Sequence, residues 1–84
     1  MENPSKSQEV LLYTRAGCHL CEEAKAAMKP VLREFGARLR EVDVDSDPGL
    51  AGEFGMDVPV VFVNGRKVAK HRVDPGRIRR ALSS

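Results

Sequence analysis

The chain reads VLLYTRAGCHLC from Val10 to Cys21. The first four residues form an apolar run typical of a strand, and a helical pattern begins at Cys18. Cys18 and Cys21 are the only cysteines of the chain. Two thiols separated by two residues at a helix start lie close enough to form a small disulfide. The first thiol lies where unpaired backbone N–H groups and the helix dipole stabilise a thiolate. This layout predicts a dithiol redox centre.

Length and composition predict one domain, since 84 residues leave no room for a second core. Hydrophobic residues make up 42% of the chain and charged residues 31%, which suits a soluble globular protein. No apolar run approaches the roughly 20 residues that a membrane-spanning helix needs. The polar N-terminus lacks the apolar segment of a secretory signal, so we expect a flexible tail at residues 1–8, a folded domain at 9–84 and a cytoplasmic location. A structural disulfide is not expected in a reducing cytosol, so the cysteines are interpreted as catalytic or metal-binding.

The net charge of +2 hides an asymmetry along the chain. From Val61 onward Asp74 is the single acid, against seven basic residues: Arg66, Lys67, Lys70, Arg72, Arg77, Arg79 and Arg80. A basic end attracts anionic partners, nucleic acid included. The one aromatic residue of this part, Phe62, lies inside an apolar strand and is not placed for base stacking. We therefore expect a solvated basic face and no nucleic-acid partner.

Strand-like and helix-like patterns alternate along the remaining sequence. Apolar residues recur every three or four positions after Cys18, and Asn64-Gly65 is a strong signal for a hairpin turn. We expect a kink at Pro30 rather than two separate helices. The predicted strands are 10–14, 38–44, 58–63 and 66–72. The predicted helices are 18–35, 48–54 and one that Asp74-Pro75 starts. A strand–helix–strand unit demands a parallel pair, and the hairpin adds an antiparallel strand. The predicted fold is thus α/β, with a four-stranded mixed sheet and helices on its faces.

Four features together resemble the thioredoxin fold. They are the order of the elements, the Cys-X-X-Cys motif after the first strand, Val58-Pro59 at the head of the third strand, and the Asn64-Gly65 hairpin. The segment TRAGCHLCEEA at 14–24 is most similar to small glutaredoxin-like redoxins. The likeness extends from Val10 to Leu82, which is nearly the whole chain. It implies a redox-active disulfide and a role in electron transport.

The resemblance also implies roles for individual residues. In that family the first cysteine of the motif is the nucleophile and the second resolves the mixed disulfide, which correspond to Cys18 and Cys21. The proline before the third strand is cis and faces the dithiol, which corresponds to Pro59. The backbone of the preceding residue, here Val58, pairs with the bound thiol substrate. The implied function is a thiol–disulfide oxidoreductase that reduces protein or small-molecule disulfides.

One segment departs from the family. Glutaredoxins that bind glutathione carry a Gly-Gly pair after the hairpin, whereas residues 68–74 read VAKHRVD. We therefore expect a dithiol redoxin with no bound cofactor, recharged by a reductase protein, with glutathione as a weak or slow electron donor. The other expected partner is a disulfide substrate protein. We expect a monomer with no membrane association.

The chemistry can also be argued from the residues themselves. An ordinary cysteine, with a pKa of about 8.5, is only a few per cent ionised at neutral pH. Cys18 gains from the helix dipole, and Arg15, His19 and Lys25 are expected to lower its pKa further by adding positive charge. Cys21 lies nearly one turn deeper, so we expect it to be more buried and to keep a higher pKa. Attack by Cys18 and resolution by Cys21 follow from that difference.

Two alternatives remain open at this point. The Cys pair could bind a metal or an iron–sulfur cluster, although a closed zinc site needs four ligands and the remaining histidines are His19 and His71. His71 is otherwise interpreted as a plain strand residue. The chain could also be a non-catalytic interaction module that uses its basic hairpin. A disulfide-reduction assay on the wild type and a double Cys→Ser variant separates these classes.

Overall fold

The structure is a computed structural model, and it describes residues 8–83. Its elements are β1 (Glu9–Thr14), α1 (His19–Phe35), β2 (Arg38–Asp43), a 3-10 turn (Val44–Ser46), α2 (Pro48–Phe54), β3 (Val60–Val63), β4 (Arg66–Lys70) and α3 (Pro75–Ser83). The predicted order of elements is confirmed. Residues 1–7 of the predicted tail lie outside the described residues. Within the described part of the chain, no helix is long and apolar enough to cross a membrane.

The four strands form one mixed sheet in the order β2-β1-β3-β4. β1 pairs parallel with β2 and antiparallel with β3, which in turn pairs antiparallel with β4. The register places Tyr13 opposite Val60, and Val60 opposite Lys70. The end of β1, the start of β3 and the end of β4 therefore meet at one end of the sheet. The predicted α/β fold with a four-stranded mixed sheet is confirmed.

Alternate side chains of β1 pack into two separate hydrophobic cores, because successive side chains of a strand point to opposite faces of the sheet. Val10 and Leu12 are buried in the larger core, and Tyr13 packs on the smaller one. The buried members of the larger core come mostly from the sheet, α1 and α3, and are Val10, Leu12, Met28, Val31, Leu32, Val61, Val63, Ala69, Ile78 and Leu82. The smaller core, built around Val44, Phe54 and Val60, fastens α2 to the sheet.

The smaller core is aromatic. The rings of Tyr13 and Phe54 stack with their centroids 4.3 Å apart, and Phe62 meets both rings edge-on. Such pairs contribute roughly 0.5–1.5 kcal/mol beyond the burial of their area. Phe54 ends α2, so this contact fixes the start of the loop that leads to Val58 and Pro59.

The predicted strand boundaries need three corrections. β2 stops at Asp43 rather than at 44, because the Asp43 carboxylate accepts the N–H of Asp45 at 2.9 Å and turns the chain. β3 begins at Val60 rather than at 58, since a proline at 59 has no N–H for the ladder. β4 ends at Lys70 rather than at 72, because His71 adopts a left-handed φ of 66°.

The helix boundaries are closer to the prediction. α1 runs through Pro30 as one helix and ends at Gly36, whose φ of 63° is the left-handed geometry that glycine adopts freely. Its first helical residue is His19, because Cys18 keeps an extended backbone as the N-cap. α3 begins at Pro75, at the Asp74-Pro75 pair that predicted its start.

Candidate functional site

The two cysteines are joined by a disulfide at the start of α1, with their Cα atoms 5.2 Å apart. Cys18 is the N-cap of the helix, and its Sγ accepts the backbone N–H of Cys21 at 3.1 Å. The N–H of Cys18 donates to the carbonyl oxygen of Arg15 at 3.2 Å, and Gly17 supplies the positive φ of 75° inside that turn. A tight turn after β1 thus sets the first sulfur at the positive end of a 17-residue helix.

The two sulfurs differ in access to solvent. Cys21 is fully buried, whereas Cys18 is partly exposed. The predicted difference in burial is confirmed. A disulfide or thiol that approaches from solvent can therefore reach Cys18 but not Cys21.

Arg15 makes its polar contacts with the chain after β2 and with the end of α2. Its guanidinium forms two hydrogen bonds to the Asp45 carboxylate, at 2.9 and 3.1 Å, and donates to the carbonyl oxygen of Gly55 at 3.1 Å. The hydrogen bonds that Arg15 donates to Asp45 raise the pKa of Arg15 above its ordinary value. Arg15 therefore ties the dithiol turn to the loop that leads to Val58, and its charge is paired with a carboxylate.

Lys25 and His19 also face carboxylates. Lys25 Nζ lies 3.3 Å from both Glu41 and Glu22, and these hydrogen bonds, the one with Glu41 first, raise the pKa of Lys25 above 10.5. His19 lies 3.5 Å from Glu23, and its side chain is 91% exposed. Arg15, Lys25 and His19, which were expected to lower the pKa of Cys18, therefore each lie beside a carboxylate. The negative charge of that carboxylate weakens the electric field of the cation at the Cys18 sulfur.

The Val58–Pro59 segment reaches the same end of the sheet as the dithiol turn. Its peptide bond is cis, Pro59 is buried and Val58 is half-buried. The backbone N–H of His71 donates to the carbonyl oxygens of Pro59 at 2.9 Å and Asp57 at 3.2 Å. Among the described residues, the Val58 N–H donates no hydrogen bond and its carbonyl oxygen accepts none. They remain free to pair with a bound chain.

His71 corrects the sequence interpretation, which placed it in a strand. It follows β4, and its Nε2 lies 3.5 Å from a carboxylate oxygen of Asp57. The backbone N–H and the side chain of His71 both contact the loop that precedes β3 and hold it in place. The sequence carries no signal for this role, since few residues other than glycine adopt a positive φ.

The close contact between Gly55 and Arg15 is a second feature for which the sequence carries no signal. The Gly55 φ of −56° is ordinary, so flexibility is not the reason for glycine here. A Cβ at this position would overlap the backbone oxygen of Ala51 and lie 2.8 Å from Nη2 of Arg15. Glycine allows the guanidinium to approach the main chain closely enough to form the Gly55 hydrogen bond.

Metal ligands do not converge in the part of the chain from 8 to 83. No group of three or more His, Cys, Asp or Glu side chains there is arranged to hold an ion. His19 and His71, the two histidines available to complete a site, pair with Glu23 and Asp57 instead.

Comparison with known proteins agrees with this geometry. Residues 9–83 match the model of a family described as a glutaredoxin-like domain (DUF836). The Mycobacterium tuberculosis protein Rv0508 is 37% identical over 76 residues, which cover 84% of this chain and 78% of that protein.

Two solved structures share the architecture. The Xanthomonas protein XcR50 (X. campestris) is 35% identical with a TM-score of 0.71, over 88% of this chain and 95% of its own. Oxidised mitochondrial thioredoxin 3 of Saccharomyces cerevisiae is 17% identical with a TM-score of 0.65, over 92% and 77%. At that identity the second likeness concerns the fold alone, which is the thioredoxin fold.

Proposed function

This chain belongs to the glutaredoxin-like domain family and has a thioredoxin fold, and from that membership we propose that it is a thiol–disulfide oxidoreductase that works through Cys18 and Cys21. The observation that carries the proposal is the unequal placement of the two sulfurs. Cys18 is partly exposed at a helix N-terminus, and Cys21, to which it is bonded, is fully buried. This asymmetry assigns different steps to the two thiols.

The first step is nucleophilic attack on the substrate. The Cys18 thiolate attacks one sulfur of a substrate disulfide, forms a mixed disulfide with it, and expels the other substrate sulfur as a thiolate, which takes a proton from solvent. Cys18 fits this role because it is the accessible sulfur. The Cys21 N–H on its Sγ and the N-terminus of α1 both favour the anionic form.

The second step is resolution inside the protein. Cys21 gives up its proton, its sulfur attacks Cys18 Sγ, and the remaining substrate sulfur leaves as a thiolate that is then protonated. The products are a reduced substrate dithiol and the Cys18–Cys21 disulfide, so two electrons have passed from protein to substrate. A thiol donor must then reduce the protein before the next cycle.

We assign most of the stabilisation of the thiolate to the helix N-terminus rather than to neighbouring cations. Arg15, His19 and Lys25 each carry a carboxylate partner, so their net contribution at Cys18 is small. Arg15 acts instead as a positioning residue, since it joins the dithiol turn to Gly55.

Val58 and Pro59 form the proposed substrate-binding segment. The unbonded backbone of Val58 offers one donor and one acceptor to an extended chain that carries the reacting sulfur. The backbone N–H of His71 donates to the carbonyl oxygens of Asp57 and Pro59 and so fixes the position of this segment.

The electron donor is proposed to be a reductase protein, in a cytosolic compartment that keeps thiols reduced. Glutathione-binding members of the family use a glycine pair that lets the backbone approach the tripeptide. Here the corresponding positions are Ala69, which is buried, and Lys70, which is exposed. The methyl group of Ala69 and the side chain of Lys70 occupy the space that the glycine pair leaves free in those proteins. Glutathione should therefore reduce this protein slowly.

Two assays test the proposal. Reduction of a small neutral disulfide is compared between the wild type and the double Cys18→Ser, Cys21→Ser variant, with circular dichroism to verify that both fold. An inactive wild type would refute the redox function. Oxidised wild type is then offered thioredoxin reductase, or glutathione with glutathione reductase, while NADPH consumption is followed. Faster turnover with the glutathione pair would refute the proposed donor and leave the redox function intact.

A further inference from the structure

A basic groove runs between the outer edge of β4 and the start of α3. It encloses about 450 Å³. Four of the side chains that line it are cations, namely Lys67, Lys70, Arg72 and Arg77, and Asp74 is its single acid. The acidic and basic residues are far from balanced here, although the whole chain carries a net charge of only +2.

The cations of this groove have no carboxylate partner among residues 8–83, unlike Arg15 and Lys25. The carboxylate of Asp74 accepts the N–H of Gly76 at 3.0 Å and caps the helix that follows. Arg77 donates to a backbone oxygen at 3.4 Å and makes no ion pair in this part of the chain. The four cations outnumber the single acid, so the groove carries a net positive charge within the described structure.

The basic groove adjoins a second groove beside α1, the helix that carries the dithiol. This second groove, of about 280 Å³, lies between the first turns of α1 and residues 71–74. Arg72 and Asp74 line both grooves. The neighbouring residue, His71, is bonded to the carbonyl oxygen of Pro59. His71, which lines the second groove, thus connects that groove with the Val58–Pro59 segment.

We propose that the basic groove binds an acidic polypeptide segment that flanks the cystine of the disulfide substrate. This inference rests on the proposed redox function, because the segment belongs to the molecule that the dithiol reduces. It adds the class of substrate, a protein with acidic residues near its disulfide.

The spacing of the cations favours a polypeptide over a single small anion. Lys67 and Lys70 are three positions apart along β4, which is at most about 10 Å, because the register with β3 shifts between them. Four cations line a groove of about 450 Å³, so several carboxylates along one chain can each contact a different cation. The lining contains no aromatic side chain on which a nucleic-acid base could stack.

Exposed charges of this kind act mainly on association. Individual surface ion pairs are weak and screened by salt, but a patch of one sign raises the on-rate of an oppositely charged partner by at least about tenfold at low ionic strength. The groove should therefore select acidic substrates through kcat/KM, and the selection should fade as salt is added.

The kinetic test uses two peptides that share one cystine, with aspartate and glutamate in the flanks of one and asparagine and glutamine in the other. The wild type should show a kcat/KM about tenfold higher for the acidic peptide at low salt. Lys67→Glu with Lys70→Glu should abolish that preference and leave the neutral peptide within about twofold. The matched control is Lys29→Glu with Arg40→Glu, which changes the net charge equally at exposed positions away from the groove and should retain the preference.

Equal kcat/KM for the two peptides in the wild type would overturn the proposal. So would an equal loss of preference in the control variant, because net charge rather than the groove would then explain the selection.

A binding test separates the groove from the redox chemistry. Oxidised wild type, which has no free thiol, is titrated into a fluorescent acidic peptide without cysteine, and polarisation is measured. Groove-dependent binding together with no reduction of either peptide would refute the redox function and support the acidic-peptide site. Reduction of both peptides without binding would refute the site and leave the redox function standing. Tighter binding of a single-stranded oligonucleotide of equal charge would overturn the assignment to an acidic polypeptide.

Discussion

Replacing Cys21 with serine should preserve attack by Cys18 and remove resolution. Cys18 remains accessible at the start of α1, so it still forms a mixed disulfide with a substrate. The serine hydroxyl cannot displace a thiolate from that disulfide under the same conditions. The adduct should then persist until an external thiol removes it.

The structure sets the size of this effect. The Cα atoms of the two cysteines are 5.2 Å apart. One thiol confined to a sphere of that radius has a local concentration of about 3 M, before any gain from orientation. Against an external thiol at about 1 mM, Cys21 therefore resolves the adduct roughly 3,000-fold faster. The lifetime of the adduct in Cys21→Ser should increase by at least about 10³ relative to the wild type.

An aromatic disulfide reagent that releases a coloured thiolate measures both steps. Reduced wild type should release two equivalents rapidly and end as the internal disulfide. Cys21→Ser should release one equivalent and keep the other half of the reagent, which intact-protein mass spectrometry detects as an adduct. Cys18→Ser should react slowly, because Cys21 is fully buried, and should become reactive in denaturant.

Two results would refute this reasoning. A second equivalent released from Cys21→Ser at the wild-type rate would mean that another group resolves the adduct. A rapid, stable adduct on folded Cys18→Ser would mean that Cys21 is the nucleophile.

Three further outcomes are expected. In the reduced protein the pKa of Cys18 should lie below the ordinary value of about 8.5, because the helix N-terminus and the Cys21 N–H favour the thiolate; thiolate absorbance against pH tests this, and a midpoint at or above that value contradicts it. Gly55→Ala should lower the free energy of unfolding by about 1–3 kcal/mol, because its Cβ overlaps the backbone of α2. Gly52→Ala, whose Cβ meets nothing within 4 Å, should raise it by up to about 1 kcal/mol, and equal urea midpoints for the two variants would contradict the argument. Because carboxylates raise the pKa of Lys25 in the folded protein, its stabilisation is complete below pH 10.5 and is lost as pH rises through the raised pKa. The wild type should lose more thermal stability than Lys25→Met between about pH 10 and 12, and parallel losses would exclude this contribution.

Local chemistry in the sequence was sufficient for the elements and for the dithiol. The order of strands and helices followed from apolar periodicity and from breakers such as Gly36, which the structure places in the left-handed region. The Asn64-Gly65 pair predicted a hairpin, and both residues have the positive φ that its turn requires. Cys18 was predictable as the exposed end of the pair, because the position of a residue within a helix depends only on its neighbours in the chain.

Tertiary structure alone decided the partners of the charged residues and the support of the substrate-binding loop. Arg15 pairs with Asp45, which lies 30 positions away, and the sequence offered no reason to choose that carboxylate over others. His71 was predictable neither as a loop residue nor as a clamp on Pro59, since both depend on how β4 leaves the sheet beside β3. Periodicity describes one element at a time, whereas an ion pair or a loop contact depends on which elements become neighbours when the cores pack.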